Sequence, residues 1–229
     1  MPLGAILPPW VEVVEAFGDP PEAALLPEEE AVIARAAGRR RRAFTTARHC
    51  ARQAMGRLGL PPTAILPGTR GAPGWPPGVT GSITHTTGYR AAALSREALA
   101  VGVDAEPHRP LPAGVLGRVS TAAEAAALRR LPPGVHWDRL LFSAKESVYK
   151  AWFPLTGRQL GFQDAEIFFE PVTSSFSVRF LVPVPEEVGL GPAGFPGRWN
   201  VARGLLATAV AVPAERPRQR ALVAANQAR

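Results

Sequence analysis

The chain has 229 residues, 46% hydrophobic and 20% charged, which suits one large soluble domain or two small ones with a proper core. No apolar run reaches the roughly 18 residues needed to span a bilayer, residues 1–10 lack the positive start of a secretory signal, and the lone cysteine, Cys50, excludes an internal disulfide framework and suits a reducing cytoplasm. A formal charge of +7 favours anionic partners: nucleic acid, an anionic cofactor or an acidic protein.

Pro27 followed by Glu28, Glu29 and Glu30 reads as a helix start, with acids at the positive end of the helix dipole. The helical pattern runs to about Leu58, with a break near Gly38, and Gly59 and Pro61-Pro62 end it. Residues 67–78 are loop. Three short apolar segments follow, 82–84, 91–94 and 99–104, and read as consecutive antiparallel strands. Thr121 with Glu124 is a capping-box signature for a further helix. Another helix is predicted from about Asp138 to Phe153, before Pro154. Strands are predicted at 165–170, 176–182 and 199–212, with a Pro/Gly-rich connection over 183–197. The tail from Ala214 is polar, arginine-rich and reads as disordered. Helices followed by strands thus occur twice, which predicts an α+β fold of two similar halves, 1–110 and 111–213, with a site at the seam between them.

Only two of the 26 basic residues are lysines, Lys145 and Lys150, in Phe142-Ser-Ala-Lys-Glu-Ser-Val-Tyr-Lys150. The richness in Ala, Arg, Gly and Pro fits a coding bias that exchanges lysine for arginine, which makes the two survivors more informative. Lysine is a compact point charge suited to a phosphate oxygen. Glu146 and Lys150 share a helical face, opposite an apolar stripe of Leu141, Ala144, Val148, Trp152 and Leu155. Either they form an exposed pair worth about 0.3–0.5 kcal/mol, or they line a cleft, as the flanking bulk of Phe142 and Tyr149 suggests. Asp104 and Glu106 lie two apart on a predicted strand and so point to one face. They make either half of a magnesium site or a strand end running into an acidic turn. His85, in Ser82-Ile-Thr84-His85, is either satisfied by backbone or, with its flanking hydroxyls, a phosphate ligand. The run Arg39–Arg42 is read mainly as a solvated face. No Walker or dinucleotide glycine motif is present. Three carboxylates and two lysines together suggest a metal with a polyphosphate. A metal-dependent phosphohydrolase or nuclease would use the same groups, and Gly38-Arg-Arg-Arg-Arg42 with the arginine-rich tail would suit a nucleic-acid binder.

Three motifs in order resemble the Sfp-type 4′-phosphopantetheinyl transferases: Ser82-Ile-Thr84-His85, Gly102-Val-Asp104-Ala-Glu106 and Lys145-Glu146-Ser-Val-Tyr-Lys150. The strings Asp104-Ala-Glu-Pro-His108, His136-Trp-Asp-Arg139 and Lys150-Ala-Trp-Phe-Pro-Leu155 resemble the subgroup found in actinobacteria and related to enterobactin-type synthases. The likeness spans residues 31–212. It implies a pseudo-duplicated monomer that binds coenzyme A as substrate, with Mg2+ (or Mn2+), between its halves. By the same resemblance Asp104, Glu106 and Glu146 would be metal ligands and Glu146 the base. Lys150 would stabilise the transferred phosphoryl group and Lys145 would hold the diphosphate. His85, Arg48 and Arg40 would hold the 3′-phosphate, with Ser82 and Thr84 beside them. Arg70 stands where other members place a loop lysine, and Phe142 where many have Trp. The implied partners are apo acyl and peptidyl carrier proteins of fatty-acid, polyketide, siderophore or nonribosomal peptide machinery, with neither nucleic acid nor membrane. The products would be the modified carrier and 3′,5′-ADP.

Overall fold

Period-two alternation along the strands decides how the two halves meet. The computed structural model describes residues 1–185, 188 and 194–214. A three-stranded antiparallel sheet has the order β1-β3-β2, formed by Glu12–Ala16, Tyr89–Ser95 and Thr80–Thr86. A five-stranded antiparallel sheet has the order β4-β8-β7-β6-β5, with β4 at Ala98–Pro107, β5 at Ala165–Glu170, β6 at Ser175–Phe180, β7 at Gly197–Ala202 and β8 at Leu205–Pro213. On β3, Ala91 and Ala93 face the second sheet, where they meet Val101, Val103 and Ala105 of β4 and Ala207 and Ala209 of β8. The alternate residues Ala92 and Leu94 face Cys50, Ala51, Ala54 and Met55 of α2 (Gly38–Arg57). On the far side of the second sheet, Leu206 and Val210 of β8 pack on Leu141, Ala144, Val148 and Trp152 of α5 (Trp137–Thr156). The layers therefore run α2, small sheet, large sheet, α5. Small alanine side chains between the sheets let them approach closely.

The shorter helices are α1 (Pro27–Ile33), α3 (Leu116–Val119) and α4 (Ala122–Leu128). The capping box forms as predicted: Thr121 Oγ1 accepts from Glu124 N at 3.2 Å, and Thr121 N donates to Glu124 Oε2 at 2.7 Å. The helix break before Gly38 is also found. Helix α5 continues through Pro154 rather than stopping before it, and Gly157 at φ 64° closes it.

Three strand expectations need correction. β1 was not predicted. The predicted single strand over 199–212 is a hairpin, β7–β8, turning at Arg203 and Gly204 with φ 56° and 73°, the left-handed pair that a tight two-residue turn requires. β4 does not pair with β3 but with β8, in register Asp104↔Thr208. Its other edge lies beside β2, and there side chains replace carbonyls as acceptors: Val103 N donates to Ser82 Oγ and Ala105 N to Thr84 Oγ1, both at 3.1 Å. β4 thus belongs to the first half by sequence and to the second by hydrogen bonding. The predicted disordered tail beyond Ala214, and part of the 183–197 connection, lie outside the described residues.

Candidate active site

The site begins at Gly102. A Cβ there would stand 1.9 Å from Ser147 O and 2.8 Å from Ala151 N. Only glycine lets α5 lie this close to β4. Alternation puts Asp104 and Glu106 on the same strand face as Gly102, so the close approach brings both carboxylates to α5. Lys150 Nζ donates to Asp104 Oδ1 at 2.7 Å and to Val103 O at 3.1 Å. Arg139, from the first turns of α5, donates to Glu106 Oε2 at 2.8 Å and to Pro110 O at 2.9 Å. Asp104 is 6% exposed, and its Oδ2 is buried without a hydrogen-bond partner. Glu146, half-buried on α5, has no hydrogen-bond partner among the described residues. Burial pushes its carboxyl above the ordinary value, Lys150 pulls it down, and Asp104 and Glu106 add to the rise. Burial and Asp104 raise Glu106 as well, against Arg139 and Lys150.

The three acids are therefore within electrostatic reach of one another, where β4 meets α5. Among the described residues, however, no three carboxylate, histidine or cysteine side chains stand close enough to cage an ion. Lys150 takes one oxygen of Asp104, and Arg139 takes one of Glu106. The hard oxygen donors and the unpartnered Asp104 Oδ2 nevertheless fit a magnesium-type ion.

Four residues expected at the cofactor are engaged with the protein itself or stand apart. Lys145 is 4% exposed, at the wall of the smaller cavity beside Glu146. Its ammonium bonds to Glu124 Oε2 at 2.8 Å, to Ala165 O at 2.9 Å and to Phe162 O. It fixes α5 to α4 and to the segment after α5. Ser82 and Thr84 are 3% and 2% exposed, and their hydroxyls are committed to β4. Thr84 also donates to Asp104 Oδ1 at 3.3 Å. Arg70 stands exposed on its loop at φ 56°, outside the cavities described below; its neighbour Gly71 reaches one.

The expected phosphate ligands do converge. Arg40, Arg48 and His85 line one cavity of about 790 Å³ between α2 and the β2–β3 turn. His85 is there because alternation turns it away from Thr84. Its withdrawal from bulk water lowers its pKa, as do Lys150, Arg90 and Arg48, while Asp104 opposes them. Burial lowers the Arg48 guanidinium to about 10. Arg48 Nε donates to Ile65 O at 3.2 Å, and the guanidinium lies 3.8 Å over the Phe44 ring. Sequence reasoning missed Arg90, which lines the same cavity and is 7% exposed. Its only signal is register, since it pairs with His85 across the β2–β3 hairpin. A second cavity, about 210 Å³, opens beside Glu146 and is walled by Val148, Tyr149, Leu160 and Phe162.

Residues 28–95 match the profile of the 4′-phosphopantetheinyl transferase N-terminal domain, and residues 100–187 that of the 4′-phosphopantetheinyl transferase superfamily. The chain belongs to this family. It is 52% identical over 220 residues to the 4′-phosphopantetheinyl transferase Svp of Streptomyces mobaraensis, covering 93% of this chain and 89% of that protein. It is 48% identical over 203 residues to the 4′-phosphopantetheinyl transferase PptT of Mycobacterium tuberculosis, covering 86% and 89%. It is 48% identical over 216 residues to the 4′-phosphopantetheinyl transferase Npt of Nocardia iowensis, covering 90% and 97%. As a 4′-phosphopantetheinyl transferase, the chain is an enzyme that moves the phosphopantetheine arm onto carrier proteins. No helix among the described residues is long and apolar enough to cross a membrane.

Proposed function

We propose that the enzyme takes the arm from coenzyme A, delivers it to a serine of apo acyl or peptidyl carrier proteins with Mg2+, or Mn2+ in its place, and releases 3′,5′-ADP, working as a monomer in the cytoplasm. The observation that carries this reading is the meeting of Asp104, Glu106, Glu146 and Lys150 across Gly102, next to a cavity lined by Arg40, Arg48 and His85. That cavity suits the nucleotide's 3′-phosphate, and cations set in a partly enclosed site bind phosphate strongly. The cavity beside Glu146, which mixes apolar walls with polar groups, suits the pantetheine arm.

Glu146 is the base. It accepts the serine proton, directly or through one water, as serine Oγ bonds to the phosphorus that carries the pantetheine. The bridging P–O bond breaks, and its electron pair leaves on the 5′-phosphate of 3′,5′-ADP. General-base help of this kind is worth roughly 10²–10⁴-fold. Lys150 holds the phosphoryl oxygens during transfer. A metal held by Asp104, Glu106 and Glu146 would neutralise the diphosphate and the charge on the departing phosphate. Arg139 keeps the Glu106 carboxylate on the cleft side of the chain.

The test is to incubate the protein with several apo carriers, coenzyme A and Mg2+ and to weigh the carriers. The expected result is a mass gain of one phosphopantetheine, lost on adding EDTA and in Asp104→Asn. No gain on any carrier, or a gain that survives EDTA, would refute the corresponding part of the reading.

A further inference from the structure

A chain with only two lysines among 26 basic residues has placed one of them where an ion is expected. Lys150 Nζ is held by two oxygens, Asp104 Oδ1 at 2.7 Å and Val103 O at 3.1 Å. The second oxygen of Asp104 is buried and unpartnered. Arginine is the default cation of this chain, yet a planar guanidinium cannot stand as a compact point charge between two oxygens. The neighbouring acid, Glu106, has its own cation in Arg139. With Glu146 alone unpaired, the ligand-free cleft is close to neutral, so it attracts a free divalent ion weakly.

We infer that Lys150 is the built-in counter-ion of the empty metal site: its ammonium neutralises Asp104 until the diphosphate of coenzyme A draws it away and a metal ion takes its place. The Lys150 side chain is 27% exposed, so it has room to swing toward the cleft, whereas Asp104 is fixed in the strand. The metal and the diphosphate therefore enter together, and the buried carboxylate of Asp104 is at no stage without a cation. Lys150 thus has two roles in sequence, first on the protein's carboxylate and then on the substrate's phosphate. The inference rests on the reading of Asp104 as a metal ligand.

The experiment uses the full chain without coenzyme A. Mn2+ is titrated into wild type, Lys150→Met and Asp104→Asn, with free Mn2+ followed by electron paramagnetic resonance and thermal unfolding measured with and without the ion. Removing the competing ammonium is expected to tighten Mn2+ binding by about tenfold or more, within the range usual for coupled sites. Mn2+ is also expected to raise the melting temperature of Lys150→Met more than that of wild type. A role confined to the transferred phosphate would move neither readout. Equal or weaker Mn2+ binding by Lys150→Met, with binding lost in Asp104→Asn, would overturn the inference and leave the metal site standing. Mn2+ binding unchanged in Asp104→Asn would overturn both. Lys150→Gln replaces Lys150→Met if the latter does not fold.

Discussion

Replacing Gly102 by alanine tests the construction of the site without touching any reacting group. The added Cβ would lie 1.9 Å from Ser147 O, about 1 Å short even of the 3.0 Å that Cβ contacts essentially never undercut. The atoms it meets are backbone of α5, and cannot turn aside as a side chain would. The helix must retreat, and with it Glu146 and Lys150. A displacement near 1 Å is enough to break the 2.7 Å bond from Lys150 to Asp104, and misplacement of that size costs roughly 100-fold in rate. Forcing one methyl into a packed interior costs about 1–3 kcal/mol. In a chain of this length each kcal/mol lowers the melting temperature by roughly 2–4 °C. The melting temperature is therefore expected to fall by about 2–12 °C, and transfer to an apo carrier by about 100-fold, with coenzyme A still retained by the phosphate cavity, whose residues lie on α2 and the β2–β3 hairpin and not on α5. Wild-type rate and stability in Gly102→Ala would refute the claim that this glycine sets the spacing of strand and helix.

Lys145→Met is expected to act on stability: it strips Glu124 of a buried counter-ion, a loss of about 3–5 kcal/mol, visible as a lower melting temperature and partly recovered by adding Glu124→Gln. An unchanged melting temperature with a raised KM for coenzyme A would return Lys145 to the diphosphate. Arg48→Gln is expected to raise the KM for coenzyme A by about tenfold or more, in line with a loss of 1.5–3 kcal/mol for a hydrogen bond to a charged group. It should leave 3′-dephospho-coenzyme A nearly unaffected, and equal effects on both would remove Arg48 from the 3′-phosphate. Because burial holds the Glu146 carboxyl above its ordinary value and a base must be ionised, kcat is expected to fall as pH drops, starting above the range of an exposed carboxylate. Glu146→Gln should lose both most of the rate and this acid limb, and a persisting limb would place the base elsewhere.

What could be read in the sequence was whatever is local. The two-residue spacing of Asp104 and Glu106 fixed their common face, and the four-residue spacing of Glu146 and Lys150 put both at the cleft. Thr121 and Glu124 marked a helix start that forms as read. Failures came where a distant segment decides. Helical spacing sets Lys145 about 100° from Glu146 but does not show what packs on that side. In the fold the helix is covered on most sides, and Ser143, Lys145 and Ser147 are all buried. Hydroxyls beside a histidine suit a phosphate, but the edge of β4 claims those of Ser82 and Thr84. Nothing local announces that an edge strand from the other half lies there. The β7–β8 turn is only two residues long, and Arg203-Gly204 is its one local signal within a stretch that reads as strand on both sides.

The same β2 segment explains how the two parts of the site are joined. Ser82 and Thr84 point at β4 and tie down the backbone on either side of Asp104, and Thr84 reaches Asp104 itself. His85, one residue on, points into the cavity with Arg40 and Arg48. A single step of strand alternation therefore separates the group proposed to hold the nucleotide's phosphate from those proposed to hold the reacting centre. The closeness is electrostatic as well as geometric, since Lys150 and Asp104 both act on His85. A slip of one residue in β2 would turn His85 onto the β4 edge and a hydroxyl into the cavity, undoing both functions together. The Ser82-Ile-Thr84-His85 motif is thus a register device. Its hydroxyls fix the strand, and the fixed strand fixes the histidine.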